Sequence, residues 1–128
     1  MLGKKTIVAT SLGFSKQVEV YSPSQGDVLL AFSINKELLE FKKLFELASI
    51  NQVKSYLFSD KKTGRLNKYV NDSFHVSSAG NGMINSLTSF LVITNIVESI
   101  LFSLDKQVHL SRIQKVEKNW DALPIFFQ

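Results

Sequence analysis

Between residues 28 and 32 the chain runs Val28-Leu29-Leu30-Ala31-Phe32, five apolar residues without a polar break. Such a run predicts a strand of a parallel sheet covered on both faces, not a half-exposed one. From Leu38 the period changes. Leu38, Phe41, Leu44, Phe45 and Ala48 fall on one helical face and Lys36, Glu40, Lys43 and Glu46 fall away from it, predicting a helix over 35–50. Strand, short polar loop and helix make half of a βαβ unit, and in open α/β sheets ligands sit beyond the carboxyl ends of the strands. The loop 33–37 is therefore the first place to look for function.

The remaining pattern repeats this alternation. Residues 5–10 form a β-rich run, 11–21 predict a short helix with Leu12, Ser15 and Val18 inward, and Ser22-Pro23-Ser24-Gln25-Gly26 a turn. Residues 53–58 predict a third strand, 61–64 a turn, 65–70 a short helical piece and 73–77 a fourth strand. The loop 77–82 leads into the longest predicted helix, 83–104, and a last helix covers 105–119 with Val108, Ile113 and Val116 as anchors. Strands alternating with helices predict an α/β fold, a three-layer α/β/α arrangement with a mostly parallel sheet of about four strands. One domain is expected over 1–128.

The helix 83–104 is apolar over more than half its circumference. Asn85, Asn95, Glu98 and several Ser and Thr residues make membrane insertion costly, so it reads as a buried helix and no membrane partner is expected. Val92 and Ile96 lie one turn apart on its more polar side, and such a pair predicts a second contact, with another subunit, so a homo-oligomer is expected. The tail Leu123-Pro124-Ile125-Phe126-Phe127 is too apolar for a solvated end; it either packs or is a short disordered remnant, and packing is preferred.

Asp27-Val28-Leu29-Leu30-Ala31-Phe32-Ser33-Ile34-Asn35-Lys36-Glu37 resembles the core of the SIS (sugar isomerase) phosphosugar-binding domain, in the version found in RpiR-type transcription regulators. That family carries Gly-Asp-Val, a hydrophobic strand and then Ser-x-Ser-Gly-x-Thr around the ligand phosphate. Gly26-Asp27-Val28 and Ser33 match; Asn35 stands for the second Ser, Lys36 for the Gly and Leu38 for the Thr. The resemblance implies a flavodoxin-like topology in which residues from Leu2 onward match the family's second strand, so the domain is truncated at its N-terminus relative to the family. It implies a phosphosugar-sensing and oligomerisation domain of an RpiR-type transcriptional regulator with a degenerate phosphate loop, its phosphorylated sugar bound weakly or lost. The alternatives are a sugar-phosphate isomerase of the SIS type and a purely structural interaction module.

The ligand-binding candidates are Ser33, Asn35, Lys36 and Glu37. Ser33, Asn35 and the amides opening the next helix suit a phosphate, because a helix N-terminus offers unpaired N–H groups and partial positive charge. Capping of the helix by Ser33 or Asn35 needs the same geometry. Lys36 adds a charge but fills space a glycine leaves to the ligand. Glu37 is the one candidate base near the loop and equally a favourable charge at a helix start. No catalytic residue is assigned, since Ser33 has no local base.

Composition narrows the field further. The 128 residues include no cysteine, which rules out disulfides and thiolate metal sites and fits a reducing, cytoplasmic location. His75 and His109, isolated from any carboxylate pair, read as structural, so no metal or other cofactor is expected. No signal peptide is apparent after Lys4-Lys5. The net charge of +4 comes from scattered lysines, which gives no reason to expect direct nucleic-acid contact.

Overall fold

The computed structural model describes residues 6–8, 23–80 and 86–121. The chain divides into two compact units, Val8–Val92 and Met1–Ile7 with Ile93–Gln128. In chain order the described elements are β1 (Val28–Ser33), α1 (Leu39–Ile50), β2 (Lys54–Ser59), a 3-10 helix (Arg65–Tyr69), β3 (Asp72–His75), α2 (Thr88–Leu104) and α3 (Lys106–Asp121). The fold is α/β, and its sheet is parallel throughout in the order β1-β2-β3.

Three strands, not four, are seen among the described residues. Most of the predicted first strand, 5–10, lies outside them, and Thr6–Val8 carry no regular structure. The predicted helix 11–21 and the apolar tail 123–127 also lie outside the described residues.

The turn before β1 is built by Asp27, whose carboxylate accepts the Ser24 amide at 2.9 Å while its own amide donates to the Ser24 carbonyl at 2.9 Å. Gly26 supplies the left-handed φ of 96° that this tight turn needs. β1 and β2 pair in register from Val28 opposite Lys54 to Ser33 opposite Ser59, and β2 continues onto β3 with Phe58 opposite Phe74. Because side chains alternate, Ala31 and Leu57 share one face, where Phe45 of α1 and Leu66 of the 3-10 helix complete a buried cluster. Leu29, Phe41, Tyr69 and Val70 pack around it.

On the other face Phe32, Phe58 and Phe74 form a ladder across the three strands, with ring centroids 5.1 Å apart at each step, and Phe90 of α2 meets Phe32 edge-on at 6.3 Å. Here Val28 is 59 % and Leu30 42 % exposed. The uninterrupted apolar run of β1 predicts cover on both faces, but α1 and the 3-10 helix cover one, and the Val28–Leu30 end of the other is open. An apolar strand that alternates between covered and open sides cannot be told from a fully buried one by composition alone.

Helix boundaries differ from expectation at their N-termini. α1 opens at Leu39 and not at residue 35, for reasons that belong to the site below. α2 opens at Thr88, whose amide donates to Ser86 Oγ at 3.3 Å while Leu87 O accepts the amides of Phe90 and Leu91. α3 begins where Asp105 O accepts the His109 amide, and it bends 104° away from α2. His109 is buried, its ring stacked on Phe102 at 5.7 Å, and its Nδ1 has no hydrogen-bond partner. α2 is not the buried helix its apolarity predicts: Phe90 is buried, whereas Leu91, Val92, Ile96, Ile100, Leu101 and Leu104 are exposed. At about 1.5 Å per residue its 17 residues reach roughly 25 Å, short of the ~30 Å hydrocarbon layer. No single helix among the described residues is long and apolar enough to cross a membrane.

Candidate functional site

The carboxyl ends of the three strands bring Ser33, Ser59 and His75 to one edge of the sheet, followed in the chain by the loops in which a ligand of an open α/β sheet sits. Ser33, the last residue of β1, is 3 % exposed, and opposite it Ser59 is fully buried. The two backbones stay joined past the strands, since the Asp60 amide donates to Ser33 O at 3.4 Å and the Val76 amide to Ser59 O at 2.8 Å. His75 is exposed at the outer end of this edge.

After Ser33 the chain turns sharply. The Lys36 amide donates to Ile34 O at 2.8 Å, closing a three-residue turn in which Asn35 has φ 69°. Asparagine tolerates this left-handed region better than most residues. Leu38, in extended conformation with φ −86° and ψ 139°, then occupies the N-cap position of α1 and has no side-chain acceptor to offer. Neither Ser33 nor Asn35 therefore caps α1, contrary to the sequence reading: the turn and the extended Leu38 separate both from the helix start.

The amide that the turn directs outward at Asn35 is already taken. It donates to Asp60 Oδ2 at 3.0 Å, and Ser78 Oγ donates to the same oxygen at 3.1 Å. Asp60 directly follows β2, so its carboxylate stands between the end of β1, the end of β2 and the segment after β3. Its second oxygen, Oδ1, is buried without a hydrogen-bond partner. The Asp60 carboxylate thus occupies the Asn35 amide from within the chain and meets any anion brought to it with charge of its own sign. Two unit charges of like sign 4 Å apart repel by about 4 kcal/mol at the effective dielectric near a protein surface.

Of the four predicted residues, Ser33 is buried at this edge of the sheet, Asn35 and Lys36 are exposed in the turn that follows it, and Glu37 serves elsewhere. The Glu37 carboxylate accepts the Arg65 amide at 2.9 Å and the Leu66 amide at 3.1 Å. Those are the first donors of the 3-10 helix, whose own N-cap, Gly64, has no side chain. Glu37 thus acts as a cap supplied from 28 residues earlier in the chain, and it is committed to this helix rather than poised as a base beside Ser33.

Asp60 was missed. The signal that finds it is the rule already applied to β1: each parallel strand ends at the ligand edge, so Ser59-Asp60 after β2 had the same standing as the loop after Phe32. Ser78 carried no separate signal. Among the described residues no group of three His, Asp or Glu side chains is placed to hold a metal ion.

Comparison with protein-family models, with curated proteins and with solved structures gave no match to this chain.

Proposed function

We propose that this chain is a non-enzymatic SIS-like domain of the kind carried by RpiR-type regulators, in which the phosphate loop is occupied from within by Asp60. The parallel β1-α1-β2 unit with its polar loop at the carboxyl edge supports the flavodoxin-like part of that reading. The observation that carries the functional part is the Asp60 carboxylate on the Asn35 amide, 3.0 Å away. A domain built this way recognises phosphorylated sugars weakly or not at all, and its remaining work is that of an interaction module.

The test is the melting temperature of the protein with fructose 6-phosphate and an amino-sugar 6-phosphate at low millimolar concentration. A ligand present at 100 times its Kd stabilises a fold by about 2.7 kcal/mol, several degrees for a domain of this size. No shift is expected for the parent. Asp60→Asn keeps an oxygen acceptor for the Asn35 amide but removes the charge, and it is expected to gain a small shift. A clear shift in the parent that is lost in Ser33→Ala overturns the proposal and makes the domain a working sensor.

A further inference from the structure

A cavity of about 450 Å³ opens at the amino ends of the strands, on the opposite edge of the sheet from Asn35 and Asp60. Ser49 and Gln52 at the end of α1, Lys54 at the start of β2, and Lys68 and Tyr69 of the 3-10 helix line it. Its volume falls within the range of small-molecule sites. We propose that it binds a compact phosphate anion of two or more charges, such as pyrophosphate, either free or as part of a nucleotide.

The first support is charge. None of the described residues lining the cavity is acidic, and Asp72, the next carboxylate along the chain, lies outside it. The Tyr69 ring gathers two ammonium groups, Lys68 at 5.2 Å and Lys42 at 5.4 Å from its centre. Lys42 is neutralised by Glu46 at 3.6 Å, the one ion pair among the described residues, which leaves Lys54 and Lys68 without a counter-charge. Like charges gathered in one concave site raise the local concentration of anions, and a dianion offsets both. Lysine binds phosphate as a point charge, and no arginine lines the cavity to grip a planar carboxylate with two parallel bonds.

The end of α1 does not account for these lysines. A helix C-terminus attracts cations through its unpaired carbonyls. Here Leu47 O accepts the Asn51 amide at 3.0 Å, Ala48 O the Val53 amide at 2.8 Å and Ser49 O the Gln52 amide at 3.2 Å.

The second support is Gln52. Its φ of 56° is the left-handed conformation that glycine usually supplies after a helix. A residue with a side chain is strained there, and such strain gathers at binding sites. Gln52 lines the cavity, and its carboxamide is a donor that glycine lacks.

Titration calorimetry of the parent at low ionic strength is expected to give one saturable site for inorganic pyrophosphate and for ADP, with citrate binding more weakly. Lys54→Gln and Lys68→Gln are each expected to weaken pyrophosphate binding by about tenfold. Lys61→Gln, at an exposed lysine beyond the other edge of the sheet, is expected to leave it unchanged. Gln52→Gly is expected to raise the melting temperature by about 2 °C and yet weaken binding, whereas a purely structural Gln52 would change the first alone.

Tighter binding of pyrophosphate than of ADP assigns the free anion, the reverse assigns the nucleotide, and either supports the site. The proposal is overturned by no saturable pyrophosphate binding up to about 5 mM, a Kd too weak for a built site. It is also overturned by an equal loss in Lys61→Gln, which marks a diffuse surface effect, or by citrate binding tighter than both phosphates. A melting shift with sugar phosphate that Lys54→Gln removes and Ser33→Ala leaves belongs to this cavity, so it and the occupied phosphate loop stand or fall separately.

Discussion

The carboxylate of Glu37 lies in the space that a β-carbon on Gly64 would occupy. Gly64 has φ −77°, an ordinary backbone conformation, so the glycine is there for room and not for a left-handed turn. Its missing side chain lets a distant carboxylate reach the Arg65 and Leu66 amides and close the start of the 3-10 helix that brings Leu66 into the core.

Gly64→Ala is therefore expected to destabilise by about 1–3 kcal/mol, through displacement of Glu37 and loss of its two charge-assisted bonds. Glu37→Ala is expected to cost a similar amount, and the double variant little more than either alone, because both remove one interaction. Urea midpoints of the four proteins measure this. Additive losses would show that Gly64 and Glu37 act independently.

The aromatic ladder predicts a graded series. Phe58 is buried between Phe32 and Phe74, so Phe58→Ala removes two stacked neighbours and is expected to cost about 3–5 kcal/mol. Phe74, at the outer end and nearly half exposed, is expected to cost under half of that. Thermal unfolding of the two single variants gives the ranking, and equal losses would mean that the outer face at Phe74 is covered.

Much of the frame was legible in the sequence. Val28-Leu29-Leu30-Ala31-Phe32 announced a parallel strand, the 3.6 period through Leu44, Phe45 and Ala48 announced α1, and the three strands sit within one or two residues of their expected places. What the pattern did not show was long-range polar pairing. Nothing within a few residues of Glu37 reveals that its acceptors' partners lie at 65 and 66, and nothing beside Asn35 reveals Asp60 on its amide. Those bonds span 25 to 29 residues, whereas hydrophobic periodicity and capping rules read only local spacing. The same limit explains α2: composition shows that a helix is apolar, but whether its apolar side meets its own chain or another is a tertiary fact.

Lys42 illustrates a contact with little weight. Its ammonium sits 3.6 Å from Glu46 and 5.4 Å from the Tyr69 ring centre, and Glu46 first, then Tyr69, hold its pKa above the ordinary lysine value. A raised lysine pKa contributes stability that is fully present below the unfolded-state pKa and fades as pH rises through the folded one. That window lies well into the alkaline range, so no effect is expected between pH 6 and 8. For an exposed i,i+4 pair, Lys42→Met is expected to leave the melting temperature unchanged at neutral pH, with or without added salt.

The last prediction concerns Asn71, which extends the β2–β3 ladder one step before β3 begins. Its Oδ1 accepts the Ser55 amide at 2.8 Å and the Ser55 hydroxyl at 3.4 Å, while its backbone amide donates to Ser55 O at 2.9 Å. The side chain thus supplies the acceptor that a paired strand's carbonyl would supply, and Ser55 is buried, so water has little access to replace it. Asn71→Ala leaves the Ser55 amide unsatisfied and is expected to cost about 1–3 kcal/mol. Asn71→Asp keeps an acceptor oxygen at the same place and is expected to retain most of the stability at neutral pH. Amide hydrogen exchange localises the effect: exchange at Ser55 is expected to rise sharply in the alanine variant and little in the aspartate one. If both variants melt with the parent, backbone pairing alone holds this end of the sheet.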